Sequence, residues 1–222
     1  SNTEICMKLY VDGDSHSAGH DAGGPNSAYG KHIADALGYD YICAAVAGCS
    51  NDSIIQRTLN FLQFNKPDFL IIGWSTWERE TWYWYDKAYN ITASGYDTVH
   101  PALQDRYKQW VIDQSTPEQQ WFKEFTAHEK IYDFHCKIKH IPHLFFNCYS
   151  HFFYTVRQNK PKYDWGNSYI DPYDQNLTYY FWLENAGFKP ANPKYYHYGA
   201  DAHKAWADFI LPKVKSILTI NE

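Results

Sequence analysis

The stretch Lys8-Leu-Tyr-Val-Asp-Gly-Asp-Ser-His-Ser-Ala-Gly-His20 decides how the rest of the chain is read. Its apolar run, Leu9 to Val11, has the character of a buried β-strand and stops abruptly at small and polar residues. A helical pattern resumes from about Asn26. Strand, small-residue turn and helix form the arrangement by which α/β proteins hold a reactive group at the carboxyl end of a strand. Ser15 is the candidate for that group.

Outward from this turn the alternation repeats. Tyr29, Ile33, Ala34 and Leu37 recur at helical spacing until Gly38, and Tyr41 to Val46 reads as a second strand. The loop Ala47-Gly-Cys-Ser-Asn-Asp52 offers helix caps, and Ile54, Ile55, Leu59 and Leu62 carry a second helix. Phe69 to Gly73 is a third strand and Pro142 to Cys148 a fourth, so the expected architecture is a three-layer, flavodoxin-like α/β sandwich around a parallel sheet. Between these strands the pattern changes. Trp74, Trp77, Trp82, Tyr83, Trp84, Tyr85 and Tyr89 crowd an aromatic-rich insertion at about 74–116, followed by a helix from about Pro117 to Lys139. Residues 151–196 read as loop with a short helix near Asn176 to Ala186, and Ala200 to Leu218 as an amphipathic helix with a kink expected at Pro212. The whole chain, 1–222, is expected to be one domain, because no linker or internal repeat divides it.

Composition narrows the function classes. A net charge of −5 speaks against a phosphate-backbone binder, and no apolar run approaches the roughly 20 residues that span a bilayer. Aromatic residues make up 19% of the chain, a surplus that belongs in the core or on a stacking surface, with packing the favoured home of the tryptophans. The 5 cysteines, in no Cys-x-x-Cys spacing, suggest neither a disulfide framework nor a zinc site. Ser1 to Ile5 lacks the charged and apolar regions of a leader, and Ser1-Asn2 has the character of a cloning remnant. A cytoplasmic or otherwise soluble placement is the expectation, with the oligomeric state open.

Parallel strands gather their carboxyl ends, so the Gly13-Asp14-Ser15 turn, Gly48, Gly73-Trp74-Ser75 and His197 are expected to meet at one edge of the sheet. That supplies a hydroxyl nucleophile, a base and donors for a developing oxyanion, the groups that acyl transfer needs. In these blocks the chain resembles the SGNH (GDSL-type) hydrolases. The matching residues are Gly13 to Gly19, Val46-Ala-Gly48-Cys-Ser, Ile71-Ile-Gly73 and His197-Tyr-Gly-Ala-Asp-Ala-His203-Lys-Ala-Trp-Ala207. The resemblance implies Ser15 as nucleophile and His197 as general base, with oxyanion donors at the Ser15 and Gly48 amides. The implied activity is hydrolysis of O-acyl esters, including O-acetyl carbohydrates, through an acyl-enzyme and without a cofactor or metal.

Two positions depart from the family pattern. Ser75 stands where the family has the Asn that supplies a third oxyanion donor, with Asn51 as a helper. Lys194 stands where the family has an Asp three residues before the His, so Asp171, Asp174 or a backbone carbonyl must orient His197 if anything does. Asn51, Trp74 and Arg79 are the candidate substrate contacts, although Glu78 and Arg79 read more simply as an exposed ion pair. His203 reads as a structural residue of the last helix, and His16 and His20 lie outside any metal-binding helical motif. Two other readings compete. One is a catalytically weak SGNH-like domain that binds glycans. The other is a haloacid dehalogenase-like phosphatase, suggested by the resemblance of Asp12-Gly-Asp14 to that family's nucleophile motif.

Overall fold

The structure, a computed structural model, describes residues 6–220; the readings of Ser1 to Ile5 lie outside these. Strand β1 (Lys8–Asp12) leads through the Ser15 turn to helix α1 (Tyr29–Leu37), then β2 (Asp40–Cys43), α2 (Asn51–Leu62) and β3 (Phe69–Trp74). An antiparallel hairpin, β4 (Glu80–Trp84) and β5 (Lys87–Ile91), follows, then α3 (Gln104–Gln114) and α4 (Pro117–Lys137). The chain returns through β6 (His143–Asn147), α5 (Phe153–Arg157) and α6 (Tyr179–Asn185) to α7 (Ala200–Ile220), which runs through Pro212. The order β2-β1-β3-β6, parallel throughout, is the doubly wound sandwich expected from the sequence.

Period-two alternation in the strands explains the two faces. Leu9, Val11, Phe69, Ile71, Leu144 and Phe146 point to one side and pack with α1, α6 and α7 through residues such as Ile33, Leu183 and Trp206. Tyr10, Leu70, Ile72, Trp74 and Phe145 point to the other and meet Ile54 of α2 and Ile131 and Phe134 of α4. With both faces covered, every residue of β3 is buried. Helix starts follow local chemistry. Ser50 caps α2 by accepting the Ser53 N–H, Thr116 precedes Pro117 at the start of α4, and Gly38 closes α1 in the left-handed conformation at φ 70°.

The aromatic stretch after β3 has a small core of its own. Trp82 and Ile91 of the hairpin pack with Val99, Leu103, Tyr107 and Trp110. Beyond Cys43 the chain stays beside β1, where Ala44 N–H donates to the Val11 carbonyl and Val46 N–H to that of Gly13. The second strand therefore ends earlier than Val46, but its continuation still carries Gly48 to the carboxyl edge of the sheet.

Candidate active site

Gly13, with φ 156°, lets the chain leave β1 against its neighbours. A Cβ there would fall 2.3 Å from Ser17 Oγ and 2.8 Å from the Gly73 carbonyl oxygen, so no larger residue fits this close approach. After it, Ala18 N–H donates to the Asp14 carbonyl and His20 N–H to that of Ser15, winding residues 14–20 into a helical turn. Ser15 sits at the head of this turn, 7% exposed.

His197 comes from the loop before α7, which is pinned by reciprocal backbone hydrogen bonds between Asn192 and His197 and passes through Tyr196 at φ 60°. Its Nε2 lies 2.9 Å from Ser15 Oγ, and its Nδ1 lies 2.5 Å from Asp21 Oδ2. An ionised carboxylate only accepts, so Nδ1 carries the ring proton and the Nε2 lone pair faces the serine hydroxyl. The His197 hydrogen bond holds the Asp21 carboxyl below the usual carboxylate range. Asp21 itself has φ 60°, a left-handed conformation uncommon for a residue with a side chain. Backbone strain of this kind clusters at functional sites, and here it lies on both sides of one hydrogen bond.

Asp21 was not legible from the sequence, and the expected alternatives do not serve. Asp171 accepts the Tyr173 N–H and Asp174 caps the short turn at Asn176, so both carboxylates close local turns. The available signal was that Asp21 is the one acid between Ser15 and Asp35, in a small-residue loop that returns toward the serine.

The other candidates divide. Gly48, at φ 72°, sits in the loop after β2, and among the described residues neither its amide nor that of Ser15 takes part in the backbone hydrogen bonds that tie these loops together. Ser75 does reach the turn, but its hydroxyl donates to Asp14 Oδ2 at 3.1 Å and is not directed at a carbonyl beside Ser15. Asn51 is held in a two-way pair with the Ser75 backbone: Ser75 N–H donates to its Oδ1 at 2.8 Å, and its Nδ2 donates to the Ser75 carbonyl at 3.0 Å. Trp74 cannot touch a substrate, because it is 0% exposed and packs edge-on against Phe134 and Phe145. A side chain leaving the last position of a strand covered on both faces points into the helix layer, and for Trp74 that layer is α4. Arg79 does not pair with Glu78. It donates to Asp14 Oδ2 at 3.0 Å, while Glu78 accepts from Thr76.

His203 is structural in its contacts. Its Nδ1 accepts the Tyr29 N–H and its Nε2 meets Tyr179 Oη at 3.2 Å. Each carboxylate of the Asp12-x-Asp14 motif is paired with its own guanidinium, Asp12 with Arg57 and Asp14 with Arg79. Both Asp12 oxygens accept from the Arg57 guanidinium, with further bonds from Gly13 N–H, Tyr10 and Thr58. Burial opposes ionisation of Asp14, yet the Arg79 guanidinium and the donors from His16 N–H and Ser75 hold it below the usual carboxylate range. Burial pushes the His16 imidazole down to about 4, so it is a neutral ring packed edge-on against His197 at neutral pH. Among the described residues no group of three or more acids, histidines or cysteines is placed to hold a metal ion, and no helix is long and apolar enough to cross a membrane.

A cleft of about 310 Å³ lies beyond the ends of β3 and β6, lined among others by Trp77, Glu78, Lys123, Tyr149, His151 and Phe181. Ser15 and His197 do not line it themselves. Tyr149 connects the two regions, since its ring lies 6.0 Å from that of Tyr196, the residue before His197.

No family model and no curated protein matches the chain. Similar solved structures do exist. TesA superimposes with a TM-score of 0.50 at 13% identity, over 95% of this chain and 99% of its own. The acetyl xylan esterase Est2A from the rumen bacterium Butyrivibrio proteoclasticus gives 0.50 at 14% identity, over 99% of this chain and 66% of its own. At such identities the likeness shows the fold, a parallel four-stranded sheet between helical layers with its loops gathered at one edge.

Proposed function

We propose that the protein is a serine ester hydrolase that cleaves O-acyl esters through an acyl-enzyme. The observation that carries this reading is the continuous chain Ser15 Oγ to His197 Nε2 at 2.9 Å and His197 Nδ1 to Asp21 Oδ2 at 2.5 Å, set at the carboxyl edge of the sheet. In this mechanism Ser15 Oγ attacks the ester carbonyl carbon while His197 Nε2 takes its proton, and Asp21 stabilises the imidazolium that forms. The Ser15 and Gly48 amides donate to the developing oxyanion. Collapse breaks the bond to the leaving alcohol, which receives the proton back from His197. Water, deprotonated by the same imidazole, then releases the acid and restores the serine.

Short acyl groups on carbohydrates are the proposed substrate class. Support comes from the cleft beside the site, where the Trp77, Tyr149 and Phe181 rings lie among Glu78, Lys123 and His151, a mixture suited to the apolar faces and hydroxyls of a sugar. The fold shared with an acetyl xylan esterase points the same way. A second reading, a catalytically weak glycan-binding domain, draws on Ser75, whose hydroxyl proton is committed to Asp14 and leaves only two amides for the oxyanion.

Turnover of p-nitrophenyl acetate and of acetylated xylan separates the two. Measurable release of nitrophenol and acetate that disappears in Ser15→Ala supports the hydrolase, and Ser15→Ala retaining full turnover rules it out. Glycan binding without turnover by the unmodified protein favours the binding domain.

A further inference from the structure

One ionic group beneath the turn has no counterpart in the mechanism above. Arg79, in the loop after β3, donates through Nη1 to Asp14 Oδ2 at 3.0 Å and to Ser75 Oγ at 2.8 Å, and Ser75 Oγ donates to the same Asp14 oxygen. The three side chains form a closed triangle whose carboxylate is buried. The other Asp14 oxygen accepts the N–H of His16, the residue after the nucleophile, and the Asp14 carbonyl accepts the Ala18 N–H. Ser75 is tied through its backbone to Asn51 at the start of α2, just beyond Gly48. The triangle therefore links the three loops that carry Ser15, Gly48 and Ser75.

Arg79 is not placed as a substrate contact. The cleft it lines, about 210 Å³, lies between α2 and α4 and is bounded by Asn51, Glu80, Lys123 and Lys130, without Ser15 or His197. One guanidinium nitrogen, Nη1, holds both the carboxylate and the hydroxyl, so the brace at this point needs a cation that donates to two acceptors.

We propose that Arg79 is a positioning residue for Ser15, acting through Asp14 and Ser75 to fix the nucleophile turn and the adjoining oxyanion amides. The proposal rests on the ester-hydrolase reading. It assigns Ser75 to the brace and not to the oxyanion hole.

The test is the rate at which a fluorophosphonate probe labels Ser15, read beside the thermal midpoint of each variant. Arg79→Gln is expected to label at least about tenfold more slowly than wild type, since displacement of a reacting group by a fraction of an ångström is enough. Arg79→Lys keeps a cation beside Asp14 and is expected to stay within about threefold of wild type at a comparable midpoint. Ser75→Ala leaves the Arg79–Asp14 pair intact and is expected to lose less than about tenfold, where removal of an oxyanion donor costs about 10²–10³. If Arg79→Gln does not fold, the double variant Asp14→Asn, Arg79→Gln removes both charges, leaves neither orphaned, and is expected to show the same slow labelling.

Wild-type labelling rates in Arg79→Gln or in the double variant overturn the proposal. So do losses in Arg79→Lys as large as those in Arg79→Gln, or losses that simply follow the midpoint. A loss of about 10²–10³ in Ser75→Ala returns Ser75 to the oxyanion hole and contradicts the brace. A wild-type protein that is never labelled removes the hydrolase reading, and this proposal with it.

Discussion

Asp21 and His197 meet across 176 residues of sequence, each beside or within a left-handed backbone position, and neither conformation is written in the local residue types. The meeting of Ser15 with His197 was legible because a strand, a small-residue turn and a final helix bring both to the sheet edge. The acid was not, since a loop closing on itself can bring any of several carboxylates to the imidazole, and only the folded geometry selects one. Asp21→Asn tests the selection. An amide in its place can present its NH₂ group to Nδ1, which favours the wrong imidazole tautomer, and turnover is expected to fall about 10²- to 10⁴-fold with little change in KM. Unchanged kcat in Asp21→Asn would show that the imidazole is oriented by something else. Trp74 teaches the converse lesson. An aromatic residue after a glycine at a strand end looks available, but parallel strands are covered on both faces, so the last side chain of β3 is swallowed by α4.

Among the elements, the four strands and the flanking helices were readable because each is a continuous apolar run or a clear helical stripe bounded by Gly, Pro or capping residues. The β4–β5 hairpin and α3 were not. Its two-residue turn is Tyr85-Asp86, with Tyr85 at φ 52°, where the usual signal for such a turn is Asn-Gly or Asp-Gly. The alternation of Glu80 to Trp84 was masked by aromatics on both faces, with Tyr83 exposed and Trp82 buried. Trp82 anchors this part of the molecule, edge-on to Trp110 and beneath the Arg106 guanidinium at 3.9 Å. Trp82→Ala is expected to cost about 3–5 kcal/mol locally. In hydrogen exchange this should appear as faster exchange over residues 80–114 while the amides of β1, β3 and β6 stay protected. Equal loosening of the central sheet would show that the hairpin and α3 have no separate core.

Across the whole molecule, buried histidines make stability depend on pH in a stated direction. Burial pushes His128 and His143 down to about 4 and His203 down to about 3, whereas an unfolded histidine titrates near about 6.5. Below that value the unfolded chain binds more protons than the folded one. The stabilisation is therefore fully present above about pH 6.5 and is lost as the pH falls toward 4. Urea unfolding at about pH 7, 6 and 5 should show a steadily falling free energy, by up to about 1.4 kcal/mol per pH unit for each histidine that stays neutral in the fold. A flat profile over that range would mean these rings are protonated in the folded protein. The architecture itself was legible because a repeated strand–helix alternation admits few topologies. What the sequence pattern could not supply was how loops from the carboxyl edge lock together: Arg79 onto Asp14, Asn51 onto Ser75 and Asp21 onto His197. We propose that this convergence makes one reactive serine. Intact and peptide mass spectrometry after exposure to a fluorophosphonate tests it most directly. A single adduct per chain is expected, located on Ser15 and absent from Ser15→Ala; no adduct, or one that persists in Ser15→Ala, would show that Ser15 is not the reactive serine.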